Sequence, residues 1–197
     1  MSDRAHADEV RAQMEERLVD AEVRMEKSLD SLHKELATIR TGRATPALVD
    51  RVHVDYYGAP TPLQSLATIS APEARLLLIT PYDRSSIGAI EKALQSSQLG
   101  LNPNNDGQVI RIAIPQLTEE RRKEFVRIVK QKAEEARVSV RNIRRDEVDH
   151  LRKIEKEGHV SKDEVDRSID QVQRITDAHV GKVDDLAQKK EAEILEV

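Results

Sequence analysis

From Met14 to Ile39 the apolar side chains fall at Met14, Leu18, Ala21, Met25, Leu29, Leu32, Leu36 and Ile39, in steps of three and four without a break. With 3.6 residues per turn, such steps keep one face of a helix in register. A stripe this long must be buried against partners of comparable length, and the chain supplies two. The second runs Phe125, Val129, Ala133, Ala136, Val140 and Ile143, then drifts to Val148, Leu151 and Ile154. The third runs Val165, Ile169, Val172, Thr176, His179, Val183 and Leu186. Each helix would be on the order of 50 Å long. The expectation is an α+β protein built on an elongated three-helix bundle. With one Phe and no Trp, its core must come from Leu, Ile, Val and Ala.

The helix ends are written in the sequence as well. Gly42 and Pro46 in "TGRATP" stop the first stripe. Thr118 is placed to cap the second helix, with Glu119 and Glu120 on its dipole, and Gly158 is placed to end it. Ser161 and Glu164 have the spacing of a capping box, and Val160 with Val165 that of a hydrophobic staple.

Between the first two stripes the texture changes. "VHVDYYG" alternates with period two, "RLLLITPY" reads as a short buried strand, and "SSIGAIEKALQSSQ" as a short helix. "NNDGQVIRIAIP" reads as a turn at Asp106-Gly107 feeding a strand with Ile110, Ile112 and Ile114 on one face. This predicts a small α/β domain over residues 44–116, inserted into a bundle of residues 1–43 and 117–197. Its paired short connectors, Gly42, Arg43 and Ala44 on one side and Pro115, Gln116 and Leu117 on the other, are hinge candidates.

The formal net charge is -4, yet the stretch from Arg121 to Lys156 holds 13 basic and 7 acidic residues. Advancing about 100° per residue places Lys123, Arg127, Lys130, Arg137, Arg144, Arg145 and Arg152 within roughly 60° of Arg141, beside the apolar seam. Glu134 is the one acid inside this stripe. Two readings compete. The stripe is a solvated face, neutralised by ion pairs that include the acidic neighbouring helices, or it is a ladder for the phosphates of a nucleic acid. So few aromatics argue against a base-stacking platform and for recognition of backbone and shape.

Catalytic chemistry leaves no mark. Neither G-x-x-x-x-G-K-[ST] nor G-x-G-x-x-G is present. The histidines are scattered and cysteine is absent, so no catalytic residue, cofactor or metal site is expected. His179 reads as a packed core residue, and Tyr56 and Tyr57 as packing or edge residues of the insert. No apolar run is long enough to cross a membrane, and the N-terminus lacks a secretory apolar region. A monomer of the cytoplasm is the expectation.

Several stretches then carry a resemblance. "IRTGRATP" (Ile39–Pro46), "VDYYGAPTPLQSLA" (Val54–Ala67), "LGLNPNNDGQVIRI" (Leu99–Ile112), "LTEERRKE" (Leu117–Glu124) and "VRNIRRD" (Val140–Asp146) follow one another in the order found in bacterial ribosome recycling factors. The chain resembles that family from about residue 15 onward. The resemblance implies a bundle lying on large-subunit ribosomal RNA, with a hinged domain coupled to elongation factor G. With GTP, the two factors would split the post-termination ribosome into subunits. DNA and membranes would not be partners. The matching RNA-contact positions are Arg40 and Arg43 of "IRTGR" and Arg141, Arg144 and Arg145 of "VRNIRR", Arg144 foremost. Lys123, Arg127, Lys130 and Arg137 of the stripe complete the candidate set. Long apolar stripes alone would also suit a coiled-coil chaperone or structural adaptor, which would bind proteins through an exposed apolar patch. The chain departs from the family by roughly a dozen additional N-terminal residues, where Val10 and Met14 are spaced to continue the first stripe.

Overall fold

A computed structural model describes residues 2–196. Its contacts divide the chain into two units. One holds the N-terminal segment to Ile39 and Lys123–Ala192, and the other holds Arg40–Arg122 and the residues from Glu193 on. The connector residues 40–43 and 117–122 thus group with the α/β unit.

The first unit is built from three long helices, α1 (Ser2–Ala37), α4 (Glu119–Glu157) and α5 (Lys162–Leu195), numbered in chain order. The first stripe is buried at Met14, Ala21, Met25, Leu29, Leu32 and Leu36. It also extends upstream. Val10 and Met14 are 6% and 4% exposed and pack with Leu151, Ile154, Val160 and Val165. Arg11 ties the same segment to α5 through Glu164, Nε to Oε1 at 2.8 Å. Val10 and Arg11 of the additional N-terminal segment thus pack within the bundle.

The helix ends follow their sequence signals. The Arg121 N–H donates to Thr118 Oγ1 at 3.2 Å. Ser161 and Glu164 close the capping box reciprocally, Glu164 N–H to Ser161 Oγ at 3.3 Å and Ser161 N–H to Glu164 Oε2 at 2.9 Å. Gly158 has φ +76°, the left-handed conformation a helix C-terminus favours.

Two seams differ from the sequence expectation. On α4 Val148 is half-buried against the core as expected, but the fully buried seam runs beside it. It steps by four from Ile143 to Glu147 and by four again to Leu151, so a carboxylate that is 1% exposed occupies a core position. Arg17 of α1 accounts for it, donating from Nε at 2.7 Å and Nη2 at 3.1 Å to the two carboxylate oxygens. A bidentate guanidinium is the partner that makes a buried carboxylate tolerable. On α5, Ser168 and Ala187 are buried while Ile169 and Leu186 are half-buried. Small side chains fit the closest approach of packed helices, and larger ones fill its margins. His179 is packed as expected, Nδ1 2.7 Å from the Ile175 carbonyl and Nε2 3.1 Å from Glu26.

The second unit contains two sheets. A hairpin pairs β1 (His53–Tyr56) with β2 (Ala59–Pro62), in register from His53↔Pro62 to Tyr56↔Ala59. The single helical turn α2 (Leu63–Leu66) leads into a four-stranded antiparallel sheet of order β3-β4-β6-β5. Its strands are β3 (Ala67–Glu73), β4 (Leu76–Pro81), β5 (Pro103–Asn105) and β6 (Ile110–Ala113). Helix α3 (Ile87–Ser96) contributes Ile90 and Leu94 to a core with Val54, Leu63, Leu77, Ile79, Ile110 and Ile112. The turn before β6 is held by Asp106, whose Oδ1 accepts the N–H groups of Gln108 and Val109. Gly42 has φ +76°, and a Cβ built there would lie 3.4 Å from Leu117 Cγ, so the two connectors run side by side. With Leu48, Leu99, Leu101 and Ile114 they line a cavity of about 200 Å³.

Candidate nucleic-acid interface

Helix α4 presents its basic side chains on one continuous face because they recur at helical spacing. Lys123, Lys130, Arg137 and Arg144 stand seven residues apart, about 10 Å along the axis at each step. The acidic helices beside it do not treat these cations equally. Arg137 is gripped by Glu134 at 2.9 Å and by Asp184 of α5 at 2.7 Å, with its side chain 24% exposed. The Asp184 carboxylate raises its already high pKa further. Arg152 is likewise held, by Glu155 and Asp166. Both guanidinium groups are committed to the bundle.

Arg127, Lys130, Arg141, Arg144 and Arg145 are not spent in this way. Arg127, Lys130 and Arg145 are exposed and make no ion pair or hydrogen bond among the described residues. Arg141 is exposed and lies at a loose 3.6 Å from Glu134. Lys123 is exposed at the start of the helix. Arg144 is half-buried, and its Nη1 donates to the neutral Oε1 of Gln173 on α5 at 3.0 Å. That contact fixes the guanidinium without cancelling its charge. The stripe thus resolves into two cationic groups, Arg127 with Lys130, and Arg141 with Arg144 and Arg145, separated by the neutralised Glu134–Arg137 pair. Arg40 and Arg43 belong to the α/β unit. Arg40 is exposed and unpaired among the described residues, and Arg43 Nη1 is 3.7 Å from Glu196.

Among the described residues no group of acidic or histidine side chains is arranged to hold a metal ion. No helix is long and apolar enough to cross a membrane.

Comparison with known proteins bears on what this face meets. The sequence model of one family, described as ribosome recycling factor, matches residues 32–195. The chain belongs to the ribosome recycling factor family. The ribosome-recycling factor of Shouchella clausii is 58% identical over 178 residues, 90% of this chain and 96% of that protein. The one from Bacillus subtilis is 54% identical over 180 residues, 91% and 97% of the two chains. A solution structure of the ribosome recycling factor is 40% identical, with a TM-score of 0.72 over 94% of this chain and 98% of that one. A further structure describes models for the T. thermophilus ribosome recycling factor and the E. coli elongation factor G bound to the E. coli post-termination complex. It is 50% identical, with a TM-score of 0.62 over 92% and 98% of the two chains.

For a ribosome recycling factor the informative point is which basic residues remain available. The stripe could be read from helical angles. The pairing of Arg137 with Asp184 could not, because the two lie 47 positions apart on different helices. Gln173 was missed as a support for Arg144. The signal for it was faint, a polar residue next to Val172 on the edge of the third stripe.

Proposed function

We propose that this chain recycles ribosomes. Its bundle binds large-subunit ribosomal RNA through Arg127, Lys130, Arg141, Arg144 and Arg145, with Arg40, Arg43 and Lys123 contributing at the connector end of the sequence. The α/β unit couples to elongation factor G, and the connectors around Gly42 and Leu117 act as the hinge. With GTP the two factors separate the subunits. The protein acts as a cytoplasmic monomer and performs no covalent chemistry of its own. The observation that supports this most directly is that Arg127, Lys130, Arg144 and Arg145, on one helix of a net-acidic chain, make no ion pair among the described residues. A nucleic-acid backbone is the partner such a set suits. A relative described on a post-termination complex with elongation factor G supports the choice of partners. An adaptor would need a contiguous apolar face. On the three long helices, the exposed large apolar side chains among the described residues are Val19, Val23, Val138 and, at the end of α5, Leu195.

Co-sedimentation with large ribosomal subunits across a salt series tests the reading. Binding through several phosphates predicts a steep loss of affinity with salt, each contact contributing about 0.7–0.9 to the log–log slope. Affinity that is flat with salt would remove the RNA-binding assignment. Binding without any subunit splitting when elongation factor G and GTP are added would remove the recycling assignment.

A further inference from the structure

The chain has four aromatic residues, and three of them are the tyrosines of the α/β unit. Tyr57 is 84% exposed and Tyr82 is 70% exposed. Tyr57 and Gly58 form the two-residue turn of the β1–β2 hairpin, with φ of +51° and +81°. Such a turn favours Asn, Asp or Gly at its first position, because a side chain with positive φ crowds the backbone. Tyr57 is the one non-glycine among the described residues with positive φ. The hairpin therefore holds a large ring out in water, in a conformation its side chain disfavours. An outlier of this kind points to a use for the ring.

The ring is also held in place. Tyr56 meets it edge-on, with centroids 4.6 Å apart and planes at 75°. Behind Tyr56 stands Asp83, its Oδ2 3.5 Å from the Tyr56 hydroxyl. Ser85 donates to Asp83 from its N–H and its hydroxyl, at 2.9 and 2.7 Å. These bonds hold the carboxyl below its ordinary range, the hydroxyl bond foremost. Asp55 is exposed on the same hairpin and accepts the Gly58 N–H at 2.9 Å. Neither carboxylate has a cation within ion-pair distance among the described residues.

A fixed ring beside two unneutralised carboxylates is poorly suited to a phosphate backbone and well suited to a cationic side chain, which gains from both the ring face and the acids. We propose that Tyr57, backed by Tyr56 and Asp83, anchors a docking surface for a protein that presents a lysine or arginine. On the recycling function proposed above, on which this inference rests, that protein is elongation factor G. Large, rigid aromatic side chains are the usual anchors of such contacts.

The test uses full-length protein with Tyr57→Asn. Asparagine suits the turn better than tyrosine, so the melting temperature should hold or rise. Affinity for ribosomes in the absence of elongation factor should be unchanged. The elongation factor G concentration giving half-maximal subunit splitting should rise about tenfold, as for loss of an interface anchor. Tyr57→Phe should recover most of the effect, and Asp83→Asn should raise the requirement by itself. A Tyr57→Asn protein that splits ribosomes at the wild-type factor concentration would overturn the proposal. Weakened binding to factor-free ribosomes would overturn it in favour of base stacking on RNA. Wild-type protein that splits nothing with the factor present would instead overturn the proposed function, and this inference with it.

Discussion

Arg144 donates to Gln173 at 3.0 Å, and Gln173 donates in turn to Asp177 at 2.8 Å. The guanidinium is thus oriented by a neutral amide, while the nearest acid of the chain of contacts is engaged with that amide's other end. Arg137, one heptad earlier, is oriented by two carboxylates instead. The two residues occupy nearly the same face, and opposite consequences follow.

Arg144→Ala should leave helicity intact and lower stability by no more than about 1 kcal/mol, the scale of one half-buried neutral hydrogen bond. A charge-assisted bond to phosphate is worth roughly 1.5–3 kcal/mol, so affinity for large subunits should fall about 10- to 100-fold. The salt slope should drop by about one contact. Arg137→Ala should show the reverse profile, a small loss of melting temperature and near-normal binding. Circular dichroism melts and co-sedimentation separate the two. Equal binding defects in both variants would mean that the pairing with Asp184 opens on the ribosome.

The Arg17–Glu147 pair is a structural device. Arg17→Ala leaves a 1% exposed carboxylate without its partner. Losing one member of a buried pair costs about 3–5 kcal/mol. The Arg17 side chain is itself 37% exposed, which places the expected loss near the lower end. Glu147→Leu should behave differently. It restores an apolar residue to the seam, and Arg17 can turn to solvent, so stability should hold or rise. Chemical denaturation of both variants checks the asymmetry. A Glu147→Leu protein as unstable as Arg17→Ala would show that the pair is needed for helix register and not merely for charge compensation.

That pair also marks where the sequence stopped being legible. The apolar stripes, the capping box at Ser161 and the Asp106-Gly107 turn are local patterns, and each reads directly from spacing. A carboxylate at a core position looks like a break in the stripe unless the residue 130 positions away that neutralises it is known. The same holds for the missed strands. Ala59–Pro62 contains two prolines, which argue against a strand, yet it survives as one side of a two-stranded hairpin where ladder donors are dispensable. Ala67–Glu73 and Pro103–Asn105 lie at the two edges of the larger sheet, largely exposed or half-buried, so they lack the alternation that identified β6. For the candidate interface, helical geometry located the stripe, but which cations are free depends on the neighbouring helices.

Gly42 tests the hinge. Its φ of +76° suits glycine, and a β-branched side chain there is strained whatever the space around it. The added Cβ would also press on Leu117 at 3.4 Å. Gly42→Val should therefore shift the connector by at least about 1 kcal/mol of backbone strain. If the connector is the hinge, subunit splitting should slow while ribosome binding stays near normal. Single-turnover splitting at saturating factor measures the first and co-sedimentation the second. Weakened binding with normal splitting per bound protein would take the hinge role away from Gly42.

The capping box predicts a specific acid sensitivity. Glu164 is pulled down to about 2 from an ordinary 4.5, first by the Arg11 hydrogen bond and then by the Ser161 N–H and hydroxyl. Because the folded value lies below the unfolded one, the ionised carboxylate stabilises the fold above about pH 4.5. That contribution fades as the pH falls toward 2. Glutamine at the same position keeps the capping geometry and removes the charge. Glu164→Gln should thus melt below the wild type at pH 7, and the gap should close between pH 4.5 and 2. Following the gap, and not the melting temperature itself, excludes other carboxyls such as Asp106, which is also held at about 2. Arg11→Ala should shrink the gap at pH 7, since its guanidinium is the largest single cause of the depression. A gap independent of pH would show that Glu164 works through its hydrogen bonds alone. The Arg11 contact would then be no more than an exposed pair at the end of the N-terminal helix.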